Sequence, residues 1–314
     1  MIQSPNADHL FNRGLKISHI RLLSALVDSG QLSKAADRIG VTQPAASRLL
    51  AEIEQIVGQP VHQRTGRGMA LTVVGKTLAI RAQRIQLELR DAARDLVEVS
   101  AGVAGHVRIG SVTGPAIDRV LPVLRSARLT APQITAEVIV APSDILCGHL
   151  LAGRIDFAVG RLPEGPERTL FSLAPIATEP VALVVRRGHP LTNLANPQLA
   201  DLLNYDWVMP PPDSILTRAV HARLSTHNMP RPPQRLATAS FLLIFALLQL
   251  SNAIAPLART VATIFSETPD SPYVELAIDL GIEVETFGLV TLAGSILTPV
   301  ASRMATEMRT IEPH

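Results

Sequence analysis

The sequence predicts an α+β multidomain chain. It has an N-terminal all-α winged helix-turn-helix, a long linker helix and a C-terminal α/β domain of two lobes. Three observations predict this. Short amphipathic helices punctuated by glycine fill residues 18–58, and an apolar heptad seam runs through residues 72–100. Beyond residue 105, strand patterns alternate with helix patterns. The 314 residues are enough for about two domains, each with its own core. With 47% apolar and 18% charged residues, wholesale disorder is excluded.

In chain order, residues 1–17 read as a polar tail. Ser18 is the expected cap of a first helix with Ile20, Leu23, Leu26 and Val27 inward, ending at Ser29-Gly30. Ser33 is the expected cap of a second, short helix carrying Ala35, Ala36 and Ile39, with Gly40 just past its end. Thr42 stands where a third helix needs its cap. Pro44 falls in that helix's first turn, and Leu49, Leu50, Ile53 and Ile56 carry it to Gly58. Helix, glycine turn, helix is the helix-turn-helix pattern, and small alanines let the two helices cross closely. Residues 63–72 form a basic hairpin, or wing, with Arg64 and Arg67 set between glycines and small residues.

From Thr72 to Ser100 the seam Gly75, Leu78, Ala82, Ile85, Leu89, Ala92, Leu96 and Val99 is flanked by charges. A dimerising helix explains it better than a helix packed only on its own body. Residues 101–105 read as a linker. Expected strands follow at Val107–Val112, Ile134–Val140, Phe157–Gly160, Val181–Arg186, Ala253–Ala255 and Phe287–Leu292. Expected helices lie at Pro115–Ala127, Ser143–Ala152, Leu216–His227, Phe241–Leu250 and Ile296–Arg309, an alternation that implies parallel pairing. The expected boundaries are thus 1–71, 72–100 and 105–314.

The net charge of +2 hides an asymmetry. Residues 1–87 hold 11 basic and 5 acidic side chains, a balance of +6, whereas the remaining 227 residues carry −4. A basic front on an acidic body suits a polyanionic partner. A lone cysteine, Cys147, rules out an internal disulfide and fits a reducing compartment. No secretory h-region is visible at the start, so the expected location is cytoplasmic. The 23 uncharged residues between Arg235 and Arg259 contain only about ten continuous apolar positions. That is short of the roughly 20 a membrane helix needs, so a buried helix followed by a buried strand is expected.

Nothing points to catalysis, metal or cofactor. Gly110-Ser-Val-Thr-Gly114 places its serine one position early for a nucleophile elbow, and metal-binding or phosphate-loop motifs are lacking. Cys147, among leucines, reads as an inert buried thiol, and Asp156 as structural, tying the Gly153 turn to the strand.

Ser33-Lys-Ala-Ala-Asp-Arg-Ile39, Val41-Thr-Gln-Pro-Ala-Ala-Ser-Arg48, Glu52-Ile-Glu54 and Leu71-Thr-Val-Val-Gly75 follow one another in order. In these blocks the sequence resembles the LysR-type transcriptional regulators. Weaker matches continue through Val107–Gly110, Leu151–Gly160 and Ala253–Pro256. Leu236–Pro256 and Pro210–Pro212 resemble the sugar-responsive subgroup that includes the galactose-binding-protein regulator. One departure is Val61-His62, where that family has a hydrophobic-Phe pair, and softer wing packing is the expected result. The tail before Ser18 is also longer than usual.

The resemblance implies a homodimer or homotetramer on double-stranded promoter DNA. It also implies an effector domain like a periplasmic binding protein, with a small molecule, a sugar or an organic acid, held between its lobes. It leaves contact with RNA polymerase open and involves no membrane. The helix-turn-helix residue types assign Gln43 and Pro44 to base edges, Ser47 and Arg48 to the next turn, and Ser33 and Thr42 to phosphate. Arg64 and Arg67 are assigned to backbone or minor groove. Ligands of open α/β sheets sit beyond strand carboxyl ends, so Ser111, Thr113, Pro142, Ser143, Arg161, Thr238 and Ser240 are the effector candidates. For each of these, a cap or surface polar residue is the competing reading. Rival functions are a ligand-independent repressor, a solute-sensing module without DNA binding, and an α/β hydrolase or transferase.

Overall fold

The computed structural model describes residues 10, 12–65, 68–101, 105–195, 197–278 and 280–311. The chain divides into two compact units. One comprises Met1–Ala104 with Gly148–Ile155 and Ser295–Pro299; the other comprises Gly105–Cys147, Asp156–Gly294 and Val300–His314.

In the first unit, α1 (Ile17–Ser29), α2 (Leu32–Ile39) and α3 (Gln43–Val57) precede a hairpin of β1 (His62–Thr65) and β2 (Gly68–Leu71), then α4 (Val73–Ala101). Three helices end on left-handed glycines: Gly30 (φ 61), Gly40 (φ 75) and Gly58 (φ 75). Leu22, Leu26, Ala35, Ala36, Ala46, Leu50, Ile53, Val61 and Ala79 form one buried cluster. The wing registers Arg64 opposite Met69, and its tip, including Arg67, lies outside the described residues.

Two expected caps are displaced. Helix α1 starts at Ile17 with Lys16 as its N-cap, so Ser18 lies inside the first turn. The cause is His19, which is 1% exposed. Its Nδ1 accepts the Lys16 N–H at 3.1 Å and its Nε2 meets Glu52 Oε2 at 3.0 Å. Helix α2 starts at Leu32 behind Gln31, leaving Ser33 as its second residue, because the turn at Gly30 needs only one further residue. Thr42 does occupy the N-cap of α3, and its carbonyl accepts Ala46 N–H at 3.0 Å, but its hydroxyl makes no cap bond.

The seam of α4 changes character along its length. Gly75 and Ala82 are buried, whereas Ile85, Leu89 and Leu96 are 39%, 53% and 70% exposed. Thr72 opens the helix, its hydroxyl accepting Gly75 N–H at 3.0 Å and donating to the Pro60 carbonyl at 2.8 Å. A Cβ on Gly75 would lie 1.9 Å from the Val61 carbonyl oxygen, so the helix meets the hairpin base backbone to backbone.

The second unit opens with β3 (His106–Ser111). A continuous helix α5 follows as Thr113–Pro115, a π-helical stretch Ala116–Val120, and Leu121–Thr130. Then come β4 (Thr135–Val140), α6 (Ser143–Leu151), β5 (Phe157–Gly160) and the long β6 (Phe171–Arg186). The remaining elements are β7 (Val208–Met209), α7 (Ile215–Thr226), β8 (Leu236–Ala237), α8 (Phe241–Leu250), β9 (Ala255–Ala258), α9 (Arg259–Ser266), β10 (Tyr273–Glu275), β11 (Glu283–Leu292) and α10 (Pro299–Thr310).

The main sheet runs β10-β6-β11-β5-β3-β4, with β9 also on β6. Parallel pairing holds for β3 with β4 and β5, and for β7 with β8. It fails elsewhere: β11 returns from far along the chain to run antiparallel between β5 and β6. Strand β6 is a single 16-residue strand, not the six residues expected. Its first part pairs with β11, while Val181–Val184 pair with β9 and Val184–Arg186 with β10. It thus crosses from one lobe to the other. The expected strand at Ala253–Ala255 shifts to Ala255–Ala258 because Ser251 Oγ accepts Ala253 N–H and holds the preceding turn. Among the described residues no helix is long and apolar enough to cross a membrane.

Asp156 is structural and ties to strand β3, its carboxylate accepting Arg108 N–H at 2.8 Å and pairing with Arg108 Nη2 at 2.7 Å.

Gly75→Ala should overpack the head and destabilise it by about 1–3 kcal/mol in denaturant melts, since backbone cannot yield as a flexible side chain does.

Candidate functional site

The start of α3 presents a polar row. Ala46, Leu50, Ile53 and Ile56 are buried, so residues offset from them face outward: Gln43, Pro44, Ser47 and Arg48 are all exposed. Ser33 on α2 and Thr42 are exposed beside this row in sequence. The structure thus places all six helix-turn-helix candidates on accessible surface. Arg64 is placed by backbone in β1, and Arg67 lies outside the described residues.

Other functional groups in the head escaped the sequence reading. Arg13, in the tail, donates to the Ile56 carbonyl at 3.1 Å at the end of α3, and Arg21 donates to the Ile39 carbonyl at 3.2 Å at the end of α2. Each guanidinium satisfies a carbonyl orphaned at a helix C-terminus and meets the negative end of its dipole. No local pattern announces them, because Arg13 lies 43 residues from its partner.

The expected softening at His62 is answered by a polar anchor. Glu54 Oε1 accepts Val61 N–H at 2.9 Å, His62 N–H at 3.3 Å and His62 Nδ1 at 2.8 Å. Burial raises the Glu54 carboxyl, but these donors outweigh it and hold the group below its ordinary range.

In the second unit, Ser111 pairs with Val140 and Val159, so β3, β4 and β5 end along one edge. Ser111 is fully buried and donates to the Val112 carbonyl, while Thr113 opens α5. Pro142 is exposed and its carbonyl accepts Leu146 N–H, while Ser143 Oγ accepts Arg161 N–H at 3.1 Å. The Arg161 guanidinium is already engaged, with Nε donating to the Glu285 carbonyl at 2.7 Å and Nη2 pairing with Glu179 Oε2 at 2.8 Å. Thr238 follows β8, at the carboxyl end of the other parallel pair. Its Oγ1 accepts Ser240 N–H, and Ser240 caps α8 through Leu243 N–H. Hydrogen bonds therefore join Ser143 to Arg161 and Thr238 to Ser240.

A recess of about 550 Å³ lies elsewhere, lined by Tyr205, Trp207, Arg235 and neighbours, and none of the effector candidates lines it. Burial, with Asp144 and Glu167, pushes the Cys147 thiol up to about 12, so thiolate is scarce at neutrality.

The comparisons with known proteins match two separate stretches of the chain. Residues 17–76 match the bacterial regulatory helix-turn-helix protein, lysR family, and residues 100–311 match the LysR substrate binding domain. The chain belongs to the LysR family. This regulator is 44% identical to the HTH-type transcriptional regulator GbpR of Rhizobium radiobacter over 248 residues, 78% of this chain and 82% of that one. It is 32% identical to the GbpR of Azospirillum brasilense over 296 residues, 94% and 86% of the two chains.

Solved structures share the fold. Full-length CbnR in complex with its target DNA aligns with a TM-score of 0.60 at 20% identity, covering 94% of this chain and 99% of that one. ArgP from Mycobacterium tuberculosis aligns with a TM-score of 0.69 at 18% identity, covering 94% and 96%. As a LysR regulator, the protein couples a DNA-binding helix-turn-helix to a domain for a small-molecule effector.

Glu54→Ala should cost the head about 1–3 kcal/mol, because it strands buried donors. The depressed carboxyl contributes stability above its unfolded value of 4.5 that is lost as pH falls through the folded value. Acid melts should therefore show a shallower loss for Glu54→Ala than for the parent.

Proposed function

We propose that this LysR regulator reads a double-stranded promoter through the exposed row at the start of α3, as a homodimer or homotetramer. Gln43 hydrogen-bonds a base edge, Pro44 contacts a thymine methyl, and Ser47 and Arg48 read the following turn. Ser33 and Thr42 meet phosphate, and Arg64 and Arg67 hold the backbone or the minor groove. The observation that carries the reading is that row, outward-facing because its helix buries Ala46, Leu50 and Ile53.

The working divisions are a head over 1–71, a dimerising helix over 72–100 and an effector domain over 105–314. The exposed Leu89 and Leu96 support the dimer, since an apolar seam in water favours a partner helix. The effector lies beyond the strand ends, among Ser111, Thr113, Pro142, Ser143, Arg161, Thr238 and Ser240. Hydroxyls there suit a sugar, and the helix starts at Thr113 and Ser143 suit the anion of an organic acid. Arg161 acts from an existing ion pair, so its part is to shape the site more than to supply a free charge. The reading includes no catalytic step and places the protein in the cytoplasm with its DNA.

Gel shifts with the upstream DNA of its own gene test this. Arg48→Ala should cost about 1–3 kcal/mol and change base preference, whereas Arg67→Ala should weaken all sequences alike and reduce the salt slope by about one. Unchanged titrations for both variants would sink the docking. Leu89→Glu with Leu96→Glu should give monomers by sedimentation; a dimer of unaltered affinity would remove α4 from the interface.

A further inference from the structure

At the junction of the two lobes, α5 begins against α9 and both face the crossover strand β6. A Cβ on Gly114 would lie 2.0 Å from Glu179 Oε1 and 3.1 Å from the Ala258 Cβ, so the Glu179 carboxylate rests on the bare backbone of α5. One turn on, in the π-helical stretch Ala116–Val120, sits Asp118. π-Turns cost hydrogen-bond geometry and are frequent at functional sites. The Asp118 side chain is 10% exposed, and among the described residues its buried Oδ1 has no hydrogen-bond partner.

The charges around Asp118 offset its burial only in part. On its own helix, Arg119 Nε stands 3.7 Å from Oδ2, and Arg119 Nη1 is drawn to the Ile311 carbonyl. On β6, Glu179 adds a like charge, itself claimed by Arg161 from the end of β5. On α9, Arg259 faces Glu275 of β10 at 3.9 Å. Burial outweighs the pull of Arg119 and, with a smaller repulsion from Glu179, pushes the Asp118 carboxyl up to about 6.

We propose that Asp118 is a proton-binding site at the lobe junction whose occupancy favours the closed packing of α5 on α9. The proposal rests on the geometry of this domain and goes beyond effector binding. A neutral carboxylic acid fits the buried position. An ionised one has Arg119 at 3.7 Å from Oδ2 but no partner for Oδ1, and water supplies that partner when α5 and α9 separate. The sign follows: a carboxyl raised from 3.8 to about 6 stabilises the closed packing at low pH, and that contribution is lost as pH rises through about 6. Glu179 transmits the change, because the same carboxylate holds Arg161, and Arg161 holds the irregular stretch of β11 at Glu285.

Amide hydrogen exchange on the full chain tests it, read at 113–120 and 259–266 between pH 5 and 8 after correction for intrinsic exchange. The expected result is a fall in protection of up to about 10-fold as pH rises from 5, which lies one unit below the value of about 6, at tenfold per unit, with head amides unmoved. Asp118→Asn should hold its protection across the range. A flat parent profile, or the same fall in Asp118→Asn, overturns the proposal. Should Asp118→Asn not fold, Glu179→Gln removes the like charge and should move the midpoint to lower pH; an unmoved midpoint overturns it equally.

Discussion

Strands β6 and β11 run antiparallel through the C-terminal domain, and the rest of that domain is hung on them. The first part of β6 closes one sheet against β11, and Val181–Val185, all buried, supply a core strand for the other lobe. A single strand shared by two cores cannot shift register for one without disturbing the other. The pairing of β11 is irregular between Val284 and Gly288, where the strand passes from lobe to lobe. Arg161 donates into that irregularity through the Glu285 carbonyl and reaches Glu179 on β6 with its other nitrogen. One guanidinium thereby links the end of β5 to β6 and β11 where the backbone ladder is irregular.

The head was more legible in sequence than the domain behind it, for a physical reason. Its signals are local: glycines at Gly30, Gly40 and Gly58 need positive φ, and the apolar faces of α1 and α3 repeat within one helix. Where a tertiary contact competes with a local cap, the local reading slips, as at Ser18, displaced by the His19–Glu52 pair, and at Ser33. In the C-terminal domain the first part of β6 was invisible because Pro175, Glu179 and Pro180 dilute its alternation. Antiparallel pairing by β11 depends on residues more than 100 positions away, which no local period encodes. Glu179 and Asp118 drew no attention for the same reason, since an isolated acid has no pattern until the fold gives it neighbours.

The substitution of Val61-His62 for an apolar-aromatic pair shows how one function can be met by different chemistry. Val61 is buried in the head core, so the hydrophobic half of the pair is kept. His62 then exchanges ring packing for a hydrogen bond to Glu54, which also takes two backbone donors. Packing tolerates sliding, whereas three donors converging on one oxygen fix direction. The base of the wing is thus oriented by α3, the same helix that carries Gln43 and Arg48.

That orientation is shared with α4 through the contact at Gly75. Between the Val61 carbonyl and the Gly75 backbone there is no side chain to flex. Hydrogen bonds from Thr72 to Pro60 and Gly75 brace the same corner. The long helix and the hairpin therefore behave as a crank and its handle. At this corner a displacement of the helix meets the hairpin base with no side chain between them to absorb it. Stiffness at this joint, more than the strength of any one contact, fixes the angle between the long helix and the base of the wing.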